Sequence, residues 1–508
     1  MDQNSKRIIK NTGFLYLRMI LLMCINIYAS RVILDNLGIE DYGIYNVVGG
    51  LTSMFVFFQS SLANATQRFL SVELGKGSKE GVKKVYSHFF FIYLIFVIIV
   101  LIALETIGYW FVVNKLNIPI ERLDAAVKVF HVTVISLCFT LIGTVFNSAI
   151  IAHEDMSYYS YVGVFEGIMK LIIAYAIVIS GFDRLVTYAF LLMLVVVGVQ
   201  VSYAVRCFVK YEESNIIWYF ERSTIVQMGK FFSWNFLGTI IYMTKDQFVN
   251  ILINIFFGPA INAARGISFQ LNSVLSNFSS SIFTSVQPQI VKSFAVRKID
   301  YLHKLVFFSS KYSVIFFWIM ALPVILNVDF LLSIWLKKVP EFTGIFTIWI
   351  LVDSLLVQLT NAPWGVALAS GKLRKYTIYG NGVLLLVFPL SYLALSLGAS
   401  AVSVFIITAF VRALQVVLVV NESNKLSSFG LLNYLKEVIL PIVKVIILST
   451  PIPFLVSSLI VNEVISFLVS GIISVLFTGL AIWVVGLNKM ERQYVLQFVK
   501  SKINNEVN

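Results

Sequence analysis

Inside an otherwise apolar stretch, Asn235, Thr239, Tyr242, Asp246 and Asn250 recur at i, i+4, i+7, i+11 and i+15. On a helix this spacing gives one polar face about four turns long, and Lys245 borders it. A second stretch puts Asn46, Gly49, Ser53, Ser60, Asn64 and Gln67 on one face, and a third does the same with Asn262, Arg265, Asn272, Ser276 and Ser279. Such side chains hydrogen-bond hydroxyls and amides, and Arg and Lys attract anions. Lipid satisfies none of them, so the faces line a watery cavity or pack against each other. For the Ser and Gly positions, helix packing is the preferred account. For Arg18, Lys245, Asp246 and Arg265, the cost of placing charge in a membrane favours a functional one.

Those assignments rest on the elements that carry them. The chain has 508 residues, 58% of them hydrophobic and 13% charged. A soluble domain carries about 25% charged residues. Uncharged runs such as Phe89 to Leu104, Val445 to Val461 and Val464 to Leu487 approach the roughly 20 residues of a spanning helix. Fourteen candidate spans follow, near 12–34, 43–66, 86–108, 125–150, 158–180, 185–206, 228–251, 261–286, 305–327, 344–368, 377–397, 400–420, 438–460 and 464–486. With the N-terminus in the cytoplasm, inner segments and span ends hold 25 basic residues and outer segments 5. That is the positive-inside pattern, and the even count puts both termini in the cytoplasm. The net charge of +13 is read as topology rather than nucleic-acid binding. The basic Met1 to Lys10 leads into a retained first helix rather than a cleaved signal.

Nine basic residues fall inside spans: Arg18, Arg31, Lys128, Lys170, Lys245, Arg265, Lys311, Arg412 and Lys444. Arg31 has Asp35 four residues on, an ordinary helical pair. Lys128, Lys311 and Lys444 lie near span ends and are expected to snorkel, while Lys170 and Arg412 stay open. The main interior acids are Glu105, Glu166, Asp246 and Asp353.

Other chemistry finds little material. Gly75-Lys76-Gly77-Ser78 lacks the upstream glycine and following Ser/Thr of a phosphate-binding loop, so no ATP engine is visible. His153-Glu154-Asp155 lacks a second histidine and reads as a turn. Cys24, Cys138 and Cys207 show no metal or disulfide spacing. No cofactor is expected, beyond a coupling H+ or Na+ for which Asp246 is the candidate.

Sliding the chain on itself by 220 residues brings Gly38 onto Gly258, Ser53 onto Ser273, Phe58 onto Phe278, Ser60 and Ser61 onto Ser280 and Ser281, and Gln67 onto Gln287. The expected organisation is a six-helix lobe over 1–222, a second over 223–430, and two added helices with a tail over 431–508.

The stretch from Arg31, RVILDNLGIEDYGIYNVVGG, followed by a helix ending SSLANATQRF, resembles the polysaccharide (O-antigen-type) flippases of the multidrug/oligosaccharidyl-lipid/polysaccharide exporter superfamily. NILINIFFGPAINAARGIS, from Asn250 to Ser268, resembles them as well. The resemblance implies an all-α membrane protein with two six-helix lobes in a V, like the multidrug and toxin extrusion (MATE) transporters. It implies a bacterial cytoplasmic-membrane flippase for polyprenyl-pyrophosphate-linked oligosaccharide, serving cell-surface polysaccharide and lipopolysaccharide synthesis beside other assembly proteins. In such flippases, arginines of the first, second and eighth helices meet the anionic head. Arg18 and Arg265 lie in the matching first and eighth spans, and the second span has no interior Arg, with Arg68 only at its inner end. A pyrophosphate is expected on Arg18, Lys245 and Arg265, with sugar hydroxyls along Asn46, Ser53, Ser60, Asn64, Asn235, Tyr242, Asn250, Asn262 and Asn272. Two alternatives stay open: a multidrug/cation antiporter of the same fold, which should use carboxylates, and a membrane-embedded polysaccharide polymerase or ligase, which should carry a large outer loop. A channel or receptor is a weaker third, since nothing resembles a selectivity filter.

Overall fold

The computed structural model describes residues 3–38, 41, 44–45, 48–49, 51–52, 55–114, 116, 118–179, 181–217, 222–336, 339–488 and 491–493. All regular structure among them is helical. The chain divides into two compact units, one of Ile9–Phe236 and one of Leu237–Asn508 with Met1–Ile8.

The first unit holds α1 (Gln3–Leu37), α2 (Val56–Lys76), α3 (Lys79–Ala103), α4 (Leu123–Ala152), α5 (Met156–Ala176) and α6 (Arg184–Lys210). Beyond Ala103, α3 runs through a wide turn over Leu104–Gly108 into Tyr109–Asn114. Its stop and start signals are local. Gly77 ends α2 with φ 72°, and Ser78 caps α3 by accepting from the Gly81 amide at 3.0 Å. Asp183 caps α6 by accepting from the Val186 amide at 3.1 Å. The apolar α4 packs on α2, α3 and α6, and its Val129, Phe130, Val134 and Leu141 are fully buried. The turn into α5 is tied to the end of α6, where Arg206 and Lys210 donate to Asp155 at 2.8 and 2.6 Å.

The second unit takes most of α7 (Arg222–Ala295), then α8 (Ile299–Leu326), the short α9 (Val328–Trp335), α10 (Thr343–Ser370), α11 (Leu373–Ser396), α12 (Val402–Ser427), α13 (Leu431–Leu459) and α14 (Glu463–Gly486). A break at Gly258, with φ 80° and ψ −178°, divides α7 into two limbs. That conformation is essentially glycine's alone. α10 packs between α8 and α12. α14 lays Ser466, Ser470, Ser474 and Thr478, one per turn, into its buried face, and small residues let membrane helices approach closely. Three polar contacts tie α8 and the residue after it to α13, α14 and the segment beyond α14. Trp318 donates to the Ser449 hydroxyl and Asn327 to that of Ser470, both at 2.9 Å, and Lys311 binds Glu491 at 2.7 Å.

The 220-residue repeat has a backbone counterpart. Gly38 and Gly258 both have positive φ, at 83° and 80°. Gly77 and Arg297 repeat this at 72° and 54°, just before α3 starts at Lys79 and α8 at Ile299.

Among the described residues, nine helices are long and apolar enough to cross a membrane. They carry the expected spans 86–108, 125–150, 185–206, 305–327, 344–368, 377–397, 400–420, 438–460 and 464–486. The windows 12–34, 158–180, 228–251 and 261–286 fall on α1, α5 and the two limbs of α7, and 43–66 lies partly outside the described residues. The polar faces singled out above ride on this less apolar set. The chain is a multi-pass membrane protein.

Candidate binding site

The second unit has a small pocket that is partly open to its surroundings. Four helical segments build it. The first limb of α7 contributes Tyr242, Lys245, Asp246 and Val249, at i, i+3, i+4 and i+7, which is one helix face. The second limb adds Phe269 and Asn272, α10 adds Trp349, Ile350, Asp353 and Ser354, and α12 adds Phe405 and Thr408. Six of the twelve lining residues are polar or charged and four are aromatic, so polar groups converge beside aromatic rings, as they do in small-molecule sites.

Its charges are arranged in pairs. The Lys245 ammonium lies 2.7 Å from Asp246, and its side chain is 3% exposed. Arg412 of α12 is the largest fully buried side chain among the described residues. It donates Nε–H to Asp353 at 2.9 Å, a second N–H to the other oxygen at 3.3 Å, and a third to Gln415 at 2.6 Å. Gln415 passes the chain on to Asn381 of α11 at 3.2 Å. The Tyr242 ring lies near both cations, its centroid 5.1 Å from the Lys245 nitrogen and 5.2 Å from the Arg412 guanidinium carbon. These distances suit cation–π attraction, which strengthens where water is excluded.

Arg265 is arranged differently. It stands 4.5 Å over the Phe269 ring and donates to the backbone carbonyl of Asp246 at 2.9 Å. Its buried Nε has no hydrogen-bond partner. In the first unit, Arg18 of α1 repeats the pattern. Its guanidinium carbon lies 4.2 Å over the Tyr159 ring of α5, and its buried Nε also has no partner.

The remaining interior acids are engaged. Glu105 meets His131 at 2.8 Å and Glu166 meets Lys170 at 2.6 Å. Of the expected cations, Lys245 is ion-paired with its own neighbour Asp246. Lys311 does not snorkel. It is buried, with both nitrogen–oxygen contacts to Glu491, beyond the end of α14, at 2.7 Å. Lys128 pairs with Asp124 at 2.6 Å, and Lys444 is exposed.

The polar stripe of α7 divides by role. Tyr242 and Asp246 line the cavity, whereas Asn235 is buried and donates to the Ser61 carbonyl at 3.0 Å, which is helix packing. Asn272 reaches the cavity, and Ser276 donates to it at 3.3 Å. Asn250 and Asn262 are half-buried, and the Asn262 carbonyl oxygen has no partner. Ser60 is exposed and Asn64 half-buried. Asn46 and Ser53 lie outside the described residues. The sequence reading did not place Trp349, Phe269 or Thr408 in a site, nor Arg412 opposite Asp353. Those last two are 59 positions apart on different helices, and no local period links them.

No protein-family model matches the sequence, and no curated protein matches it. Solved structures do. A MATE protein crystallised in the straight conformation superposes with a TM-score of 0.72 at 15% identity, covering 84% of this chain and 97% of that one. The fold is that of the MATE transporters. An outward-facing multidrug-resistance MATE transporter gives 0.70 at 13% identity, covering 84% of this chain and 99% of its own. A MOP-superfamily transporter from Pyrococcus furiosus Vc1, described as having a binding pocket of reversed polarity that suggests a different function, gives 0.69 at 14%, with the same coverage. The MATE fold therefore accounts for 84% of this chain.

Proposed function

We propose that this protein is an exporter of the MATE fold that carries an anionic, lipid-linked oligosaccharide across the bacterial cytoplasmic membrane by alternating access, with both termini in the cytoplasm. The observation that carries the reading is the outcome of charge pairing. Each of the four interior acids sits against a base: Glu105 on His131, Glu166 on Lys170, Asp246 on Lys245 and Asp353 on Arg412. Arg18 and Arg265 lie over aromatic rings instead, each with an unpartnered Nε. Unpaired charge inside a membrane is costly and marks function by default. Among the described residues, Arg18 and Arg265 leave a cationic surplus made of guanidinium, which grips phosphate oxygens with two parallel hydrogen bonds. Each of these guanidinium groups suits a polyprenyl pyrophosphate head, and Asn272 and Thr408 in the second unit offer hydrogen bonds that suit sugar hydroxyls. A coupling H+ or Na+ taken up at Asp246 has to compete with Lys245.

The multidrug reading also has a specific support. Asp246 and Asp353 share a cavity with Tyr242, Phe269, Trp349 and Phe405, and such a cage suits an organic cation. Neighbours of the same fold include a multidrug transporter. Vesicles holding the purified protein separate the two. The expected result is transfer of a fluorescent polyprenyl-pyrophosphate oligosaccharide to the opposite leaflet, reduced about tenfold or more by Arg18→Gln and by Arg265→Gln. Full transfer by both variants, or efflux of organic cations without lipid transfer, overturns the proposal.

A further inference from the structure

The seam between α1 and α5 contains a device that no charge count reveals. Gly163 and Gly167 lie four residues apart on α5, the small-xxx-small spacing that lets two membrane helices touch. What each glycine meets on α1 is different. A methyl on Gly167 would come within 2.6 Å of the Leu22 side chain, an apolar contact. A methyl on Gly163 would collide with the Arg18 Nε and come within 2.9 Å of its guanidinium carbon. The guanidinium thus rests on bare backbone on one side and on the Tyr159 ring, 4.2 Å away, on another. Tyr159 and Gly163 are themselves one turn apart, so a single stretch of α5 supplies both supports. Arg has long, flexible torsions that cost entropy to fix. A flat ring and a missing Cβ hold its head in place without neutralising it, which a carboxylate partner would do.

We propose that Gly163 is a positioning residue for the anion site: its missing side chain, with the Tyr159 ring, sets the Arg18 guanidinium where it receives a pyrophosphate. This rests on the reading of Arg18 as a contact for the anionic head. It adds that the residue at 163 controls affinity without touching the ligand. The side chain that a methyl displaces is the free end of an arginine, so Gly163→Ala leaves the fold intact and moves the guanidinium.

The test is binding of inorganic pyrophosphate to the purified full-length protein in lipid nanodiscs, followed by thermal shift and equilibrium titration. Four proteins are compared with the wild type: Gly163→Ala, Gly167→Ala, Arg18→Gln, and Gly163→Ala combined with Arg18→Gln. The expected result is a loss of about tenfold in affinity for Gly163→Ala and Arg18→Gln. Gly167→Ala, which crowds the same seam, keeps wild-type affinity. In the double variant, Gly163→Ala adds nothing to Arg18→Gln, the non-additivity expected of one shared interaction. Gly163→Ala binding like the wild type overturns the inference while leaving the anion site standing. So does equal loss in both glycine variants, or additive loss in the double variant. Wild-type binding that ignores Arg18→Gln, or no binding by the wild type, overturns the inference together with the reading beneath it.

Discussion

Replacing Asp353 by Asn keeps the shape of the Arg412 partner and removes its charge. Arg412 is 1% exposed and fixed by three donated hydrogen bonds, two to Asp353 and one to Gln415. Removing one partner of a buried ion pair leaves the other charge uncompensated and costs about 3–5 kcal/mol. The lower end applies here, since Asp353 opens on the cavity and the bond to Gln415 persists. About 3 kcal/mol is roughly a hundredfold in the folding equilibrium. Replacing both partners by apolar residues of similar volume, as in Asp353→Leu with Arg412→Met, removes the stranded charge and is close to neutral. The assay is reversible denaturant unfolding in micelles, read by tryptophan fluorescence, with Trp349 one helical turn from Asp353 as reporter. The expected order is wild type near the double variant, and Asp353→Asn well below both. If Asp353→Asn lies within about 0.5 kcal/mol of the wild type, or the double variant loses as much as the single, the pair does not bear the energetic role assigned to it.

Two further outcomes follow from backbone and charge. Gly258→Ala should destabilise by about 1–3 kcal/mol, because its backbone region is closed to alanine although nothing lies within 4 Å of the new methyl. Gly266→Ala, equally open but helical, should stabilise by about 0.5–1 kcal/mol, and like-signed shifts in the two melting curves would refute this. At the start of α6, Arg122 reaches Asp183 at 2.5 Å and Asp41 at 2.5 Å. Burial opposes charge on Asp183, but the Arg122 hydrogen bond and the Val186 amide win and hold its carboxyl below the usual range. A depressed carboxylate stabilises above the unfolded pKa, near 3.9, and the contribution fades as pH falls through the folded value. Hydrogen exchange in the first turn of α6, corrected for intrinsic rate, should therefore accelerate in acid below about pH 4. Arg122→Gln should flatten that acceleration, and an identical acid response in both proteins would exclude the clasp.

Much of the architecture was already written in composition. A chain with this little charge has to put its helices in lipid, and the nine apolar helices follow from that alone. Gly38 and Gly258, 220 residues apart, both have positive φ, a region that glycine enters without steric cost. The polar face of α7 was legible too, because helical phase is a local property. What each polar group does with its charge was not. Lys245 and Arg265 look alike in sequence, yet one is neutralised by its neighbour and the other stands over Phe269 with an unpartnered nitrogen. Arg412 finds Asp353 across 59 residues, and Lys311 finds Glu491 across 180. Sequence thus determined that charges lie inside the membrane, because helix length and period are local. Only the tertiary structure decided the long-range pairs, because those depend on helices brought together by packing.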